Sequence, residues 1–512
     1  MIELSLQKVA DITGGRLVNV ADPAVKITAF PEFDSRKVTP GGLFIALPGA
    51  QVDGHDFAEK AVEQGAVAVL AAREVDAPAI VVKPTGKPTG DGANADIYAH
   101  DEDGSAAAVV AALADIARYV TQELANKPSG GLRIVGITGS AGKTSTKDLI
   151  ASVLKTDGET VAPPGSFNNE IGHPYTALRC DEHTKYLVAE LSARGIGHIR
   201  HLASIAAPQI GVVLNVGSAH LGEFGSRENI AKAKGELVEA LPTAEDGGVA
   251  VLNADDPFVA AMAPRTQAKV VTYSTANPPA SGAQYYATDI VLDDVARASF
   301  NLHTPALEVV PVKLQVFGAH QVSNALAAVA VAVESGLSIE QIVQALNGHT
   351  NASAHRMDVN TRKDGLTVIN DSYNANPDSM RAAVAALGYT SAARPDARAI
   401  AVLGEMGELG DDALEAHTNV GHELAKYNVS HLIAVGNSEN IQAMVAEAEI
   451  NGVSTKIARD VAEATALVNE IAATPPVGAT RWGTQEAKDV VLLKASNAEA
   501  LWRVADMLLA GE

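Results

Sequence analysis

Residues 131–150 read GLRIVGITGSAGKTSTKDLI. The run LRIVGIT has the unbroken apolar character of a strand buried on both faces, and a helical pattern starts at Lys143-Thr144. Between a buried strand and a helix N-terminus, backbone N–H groups and the helix dipole can hold phosphate. The common loop of this kind, GxxxxGK[ST], needs its first glycine at position 137, where this chain has Ile137. Gly139 and Gly142 instead bracket a shorter turn. In it Gly139, Ser140, Ala141 and Gly142 would offer N–H groups to phosphate oxygens. Lys143 would bridge the outer phosphates, and Thr144, followed by Ser145, would bring a hydroxyl to Mg²⁺. The competing reading is an ordinary strand-to-helix turn that contains Gly-Lys-Thr by chance.

Outward from this stretch the chain divides. Upstream, short apolar strands such as LFIAL and AVAVL alternate with a helical segment, FAEKAVEQG, and suggest a small α/β unit. Residues 84–105, dense in Pro, Gly, Asp and Asn, read as an exposed loop. The helical stretch SAAAVVAALADIARYVTQELA and the linker NKPSGG follow. Downstream, KYLVAEL, IGVVLNV and GVAVLN continue a βαβ series, for which a mostly parallel sheet is expected, with chemistry at the carboxyl ends of its strands. Beyond it TVIND, ARAIAVLG, SHLIAVG, STKIA and DVVLLKAS alternate with helical segments as a Rossmann-like unit. The expected fold class is α/β in three domains: residues 1–128, a central phosphate-loop domain at 129–353, and 354–512.

Composition agrees. A chain of 512 residues outgrows a single core and suggests roughly three. A hydrophobic share of 47% with only 4% aromatics suits Ala- and Val-rich parallel sheets. The net charge of -22 argues against a nucleic-acid partner, so an anionic substrate must be held by local positive groups. The single cysteine, Cys180, excludes an intramolecular disulfide framework and reads as an inert thiol in a reducing compartment. The N-terminal MIELSLQKVADITGG lacks a signal-peptide pattern, and no apolar run approaches the ~18 residues that span a bilayer. A cytoplasmic protein without membrane insertion is expected.

A triphosphate site also needs anionic metal ligands at neighbouring strand ends. YLVAELS puts Glu190 at the end of an apolar strand, where a carboxylate is otherwise costly to bury. LNVGSAH puts His220 just past another; a loop histidine is its plainer reading. SRENIAKAKGELVEAL should be a helix capped by Ser226, with Ile230, Ala233, Leu237 and Leu241 as its apolar stripe. At ~100° per residue Lys234 falls close to that stripe, while Lys232 points the other way. A lysine on a buried face has a lowered pKa, and its neutral amine can take up CO₂ as a carbamate, a new anionic metal ligand. Snorkelling to solvent is the alternative for Lys234.

TGSAGKTS resembles the TGTxGKT loop of the Mur ligase superfamily, ATP-dependent amide-bond ligases that include the cell-wall precursor ligases and folylpolyglutamate synthase. The resemblance extends over essentially the whole chain. It implies ATP and two Mg²⁺ ions, the metals served by Thr144, Glu190, His220 and a carbamylated Lys234, whose IAKAKGE context is similar to the family's. DSRKVTPGGLFIALPGAQVDGHDF resembles a uridine-nucleotide pattern, which implies Ser35, Arg36, Gly54 and His55 near the UDP moiety; from the residues alone Asp34-Ser35-Arg36 is a turn before a strand. SFNNEIGHP implies Asn168 and Asn169 on the muramoyl-peptide side. LNADDP implies Asn253, and GAHQVSNALAA implies His320 and Asn324, near the nucleotide, with Gln321 in place of the usual Asn. SAHRMD implies that Arg356 reaches the phosphates from the third domain; His355 stands where glycine is common.

INDSYNANPDSM is the most discriminating stretch. It is similar to the branch of the family that joins D-alanyl-D-alanine to UDP-N-acetylmuramoyl-tripeptide, and implies Asp371 near the nucleotide and Tyr373, Asn374 and Asn376 near substrate. Asn370 replaces a frequent aspartate. VLGEMGELG and His417 resemble the same branch, whereas KASN departs from its KGSR, and Lys494 is assigned no role. The implied chemistry is attack of the tripeptide carboxylate on ATP to give an acyl phosphate, then attack by the dipeptide amine. Lys143, Glu190, His220, Lys234 and Arg356 are the implied catalytic set, in a chain expected to act as a monomer. The competing functions are a diamino-acid-adding or folylpolyglutamate-type ligase, and a phosphate-loop ATPase with a mechanical or regulatory role.

Overall fold

The computed structural model describes all residues except 50–51, 87–97, 99, 128–129, 164, 218–220, 294–295, 351–352, 480–487 and 511–512. His220, most of the 84–105 loop and the expected boundary at 128/129 therefore lie outside the described residues.

Three main sheets carry the chain. The N-terminal unit has β1 (Arg16–Val18), β2 (Leu43–Ile45), β3 (Ala68–Ala71) and β4 (Ala79–Val81) in the order β1-β4-β3-β2, parallel except at β1. Its helix α1 (Leu6–Thr13) packs on the long α2 (Ser105–Ala125). Helix α2 is apolar around most of its circumference and so needs partners on two sides. It finds the second in the helices Gly172–Ala177 and His198–Ile205 of the central unit, and one continuous core joins the two units. Cys180 belongs to that core, and burial pushes its thiol up to about 12, as an inert thiol requires.

The central sheet is built from β5 (Arg133–Thr138), β6 (Thr160–Val161), β7 (Tyr186–Glu190), β8 (Ile210–Val213), β9 (Val249–Asn253), β10 (Lys269–Ser274), β11 (Tyr285–Leu292), β12 (Arg297–His303) and β13 (Val309–Phe317). Their order is β13-β12-β11-β10-β9-β8-β5-β7-β6. It is parallel from β6 to β11 and continues as an antiparallel β11-β12-β13 ribbon, whose strands alternate buried and exposed residues. Chain order reverses around β5, which lies between β7 and β8, so the loop after β5 sits at a switch point. Helices α3 (Lys143–Leu154) and α4 (Gln321–Glu334) cover one face.

The third sheet runs β14-β15-β19-β16-β17-β18, from β14 (Asp358–Thr361), β15 (Thr367–Asn370), β16 (Ala399–Leu403), β17 (His431–Val435), β18 (Ser454–Ala458) and β19 (Val490–Lys494). The five apolar strands are parallel, and β14, polar and half-exposed, adds an antiparallel edge. Among the described residues no helix is long and apolar enough to cross a membrane.

Candidate active site

The turn between β5 and α3 has the compact geometry that its glycine spacing suggests. Gly142 adopts φ 82°, and a Cβ there would meet Asn324 Oδ1 at 3.0 Å. A Cβ on Gly139 would lie 2.9 Å from the Leu214 side chain. Lys143 Nζ curls back and donates to the Gly139 carbonyl at 2.7 Å. The loop has a brace that sequence reasoning missed: Asn215 Oδ1 accepts from the N–H groups of Ser140 and Ala141, both at 2.9 Å, and Asn215 Nδ2 donates to the Ala141 carbonyl at 3.1 Å. An Asn beside a βα turn was the available signal.

Glu190 ends β7 beside Ile137, wholly buried, and neither carboxylate oxygen has a hydrogen-bond partner among the described residues. A buried anion without such bonds needs cations. Burial holds the Lys143 amine below the ordinary lysine range, the Glu190 charge opposing that shift and the Arg356 charge reinforcing it. On the helix Arg227–Lys234, Ser226 accepts from Asn229 N–H at 3.2 Å as the cap, Ile230 and Ala233 are buried, and Lys232 is exposed. Lys234 is 4% exposed rather than snorkelling, and burial, reinforced by the Lys143 charge, holds its amine well below the ordinary lysine range. Helix geometry breaks at Gly235 before Glu236–Glu239, where one continuous helix is expected.

From the opposite side, the third unit reaches in. Arg356 Nη2 donates to Ser166 Oγ at 3.1 Å, and Ser166 Oγ lies 3.0 Å from Thr144 Oγ1. The guanidinium sits 4.2 Å from the centroid of the Tyr373 ring. Between the units lies a cleft of about 460 Å³. Of the sequence-derived residues, Ser140, Ala141, Gly142, Lys143, Thr144, Ser145, Asn168, Asn169, His320, Asn324, Arg356, Asp371, Tyr373, Asn374 and Asn376 line it. Asn376 also caps helix α5 (Pro377–Ala392), its Oδ1 accepting from Ser379 N–H at 2.9 Å. Gln321, at the departure from the family's Asn, accepts from Asn324 Nδ2 at 2.9 Å and so steadies it.

Other residues lie elsewhere. Asn253 donates to the Leu214 carbonyl at 2.9 Å and accepts from Asp255 N–H at 3.0 Å, tying strand ends together outside the cleft. In the N-terminal unit, Ser35 and Arg36 lie in a 3₁₀ turn capped by Asp34, which also chelates Arg36 at 2.9 and 2.8 Å. His55 is internally engaged, Nδ1 with Asp53 at 2.6 Å and Nε2 accepting from Ala72 N–H at 2.9 Å. Gly54 is there because a Cβ would meet Leu47 N at 2.6 Å. None of these four lines the cleft between the central and third units.

Lys494 does line it, 1% exposed, with its Nζ 2.6 Å from Asp371 Oδ2. Sequence reasoning assigned it no role because KASN departs from the family's KGSR; the fold, which carries the end of β19 to the turn after β15, shows its contact with Asp371. Ser166, Arg194 and Glu408 of the lining were missed because only the fold brings them to the cleft.

A Mur ligase middle-domain model matches residues 137–332, a Mur ligase glutamate-ligase-domain model 355–497, and a Mur ligase family catalytic-domain model 29–120. The chain belongs to the Mur ligase family. It is 50% identical over 519 residues to the UDP-N-acetylmuramoyl-tripeptide–D-alanyl-D-alanine ligase of Mycobacterium tuberculosis, spanning 100% of this chain and 99% of that one. The Escherichia coli ligase of the same name is 32% identical, with 86% and 87% covered. Among solved structures, MurF from Acinetobacter baumannii superposes with a TM-score of 0.80 at 28% identity, covering 99% of both chains. MurF from Thermotoga maritima in complex with ADP gives 0.73 at 26%, covering 94% and 98%. The shape of this Mur ligase therefore agrees with its sequence.

Proposed function

We infer that the chain is an ATP-dependent ligase that joins D-alanyl-D-alanine to UDP-N-acetylmuramoyl-tripeptide through an acyl phosphate, releasing ADP and phosphate. The observation that carries this is the cleft itself, in which the phosphate loop of the central unit faces the DSYNANP turn of the third. A carboxylate is ionised at neutral pH, so its attack on the γ-phosphorus needs no general base. What it needs is alignment and charge neutralisation, which Lys143 and Arg356 supply from opposite walls. The amine of the dipeptide then attacks the acyl carbon and phosphate leaves. On this reading the N-terminal unit takes the UDP moiety through Arg36 and the backbone around Gly54, since the His55 ring is already spent on internal bonds.

The donor set suits Mg²⁺, a hard cation: Glu190 is a buried carboxylate without hydrogen bonds among the described residues, and Thr144 lies on the cleft. Thr144 and Glu190 would hold the metal, which would neutralise phosphate charge when bound. A second ion would be served by Lys234 after its amine adds CO₂, forming an N–C bond and losing a proton to give a carbamate. The buried, weakly basic amine supports this. Lys234→Ala should abolish most activity, short carboxylates should restore part of it, and ¹³C-bicarbonate should give a carbamate carbon resonance in the wild type. Full activity of Lys234→Ala overturns the carbamate. For the ligase reading, phosphate release from ATP must depend on both the UDP-tripeptide and D-alanyl-D-alanine; rapid hydrolysis without them overturns it.

A further inference from the structure

Lys494 is among the largest fully buried side chains of the described residues. A buried ammonium persists only where a countercharge and hydrogen bonds surround it. Its Nζ donates to Asp371 Oδ2 at 2.6 Å, to the Asn374 carbonyl at 2.9 Å and to the Asp371 carbonyl at 3.3 Å. All three acceptors belong to the turn that follows β15, so a side chain from the neighbouring strand β19 grips that turn from within.

The gripped turn supports Arg356 on two sides. Asp371 Oδ1 accepts from the Met357 N–H at 3.1 Å, which sets the backbone just after Arg356. Tyr373, the residue before Asn374, supplies the ring on which the Arg356 guanidinium rests. Arg356 in turn reaches Ser166 and, through it, Thr144 of the phosphate loop. One ammonium thus holds both the backbone and the platform of the arginine that crosses the cleft.

We propose that Lys494 is a positioning residue of the ligation: it fixes Arg356 against the phosphate loop, acting through Asp371 and the Tyr373–Asn374 turn without touching substrate. Arg356 stabilises charge that develops during phosphoryl transfer, so a displaced Arg356 lowers kcat more than it raises KM. A role confined to stability would lower the melting temperature and leave the turnover of folded enzyme intact.

The inference rests on the ligase reading, so the wild-type chain is assayed first, and failure of dipeptide-dependent phosphate release there counts against that reading alone. With an active wild type, Lys494→Met, shown folded by circular dichroism, should lose between about 10- and 100-fold in kcat. Its KM values for ATP, tripeptide and dipeptide should stay within about threefold. Lys494→Arg, which keeps the charge, should recover part of the loss. The decisive arm is a double-mutant cycle: in an Arg356→Ala background, Lys494→Met should cost less than about twofold. Unchanged kcat in Lys494→Met, or an undiminished loss without Arg356, overturns the proposal. Should Lys494→Met fail to fold, Asp371→Asn carries the same cycle, with the same outcomes for and against.

Discussion

At the scale of single residues, the site is a set of charges that burial makes interdependent. Glu190 has no hydrogen bonds of its own among the described residues and acts on Lys143, which in turn feels Arg356 and lowers the proton affinity of Lys234, so its charge rather than its shape is what the site uses. Glu190→Gln keeps the shape and should lower kcat by about 10²–10³-fold, the range for removing one electrostatic stabiliser, as read by steady-state phosphate release. Asn215→Ala should strand the Ala141 N–H, while the Ser140 N–H keeps the Asn215 carbonyl at 3.2 Å, at a cost of about 1–3 kcal/mol in chemical denaturation, and raise the KM for ATP. Two departures from the family pattern explain each other. His355 has φ 61°, a conformation that suits the glycine common there, and its Nδ1 lies 3.0 Å from Nδ2 of Asn370, the residue that replaces the frequent aspartate. Each substitution was visible in the sequence; their partnership was not, because 15 positions separate them.

At the scale of elements, periodicity carried far. The stripe Ile230, Ala233, Leu237 follows from a 3.6-residue repeat, whereas the burial of Lys234 does not, since the repeat alone favours snorkelling there; the structure also breaks the helix at Gly235. The phosphate-loop turn was legible because only glycine takes φ 82° cheaply. Gly142→Ala should therefore strain the turn, push on Asn324 and cut kcat/KM for ATP, with little loss of overall melting temperature. A pH effect belongs to the short helix Gly172–Ala177, which packs on α2 and buries His173. Burial pushes this imidazole from 6.5 down to about 4. The unfolded chain then binds the proton that the folded one refuses, so stability is complete above pH 6.5 and is lost as pH falls toward 4. Melting temperatures should drop across that window, and His173→Leu should flatten the drop. Nothing in GHPYTA announced this burial; it depends on what lies over the helix.

At the scale of the whole molecule, function depends on units meeting. Arg194, just past β7, pairs with Glu408 of the third unit at 2.7 Å across the cleft, both partly exposed. Exposed pairs contribute about 0–1 kcal/mol, so Glu408→Gln should change kcat/KM less than about fivefold while making small-angle scattering profiles less compact with substrates bound. A closure that excludes water would protect the acyl phosphate. The N-terminal unit is tied down more firmly, by α2 in a shared core and by Tyr175 donating to Glu32 at 2.9 Å. By itself the sequence determined the α/β class, the buried strands and the phosphate-loop turn, because these follow from local period, backbone conformation and a short motif, and its resemblance to the Mur ligases implied most residues that line the cleft. Only the tertiary structure decided that α2 is shared, that Asn215 braces the loop, and that Lys494 grips the turn beside Arg356. Those roles arise from side chains distant along the chain whose charges and hydrogen bonds must be satisfied away from water, and no local pattern encodes which partners will satisfy them.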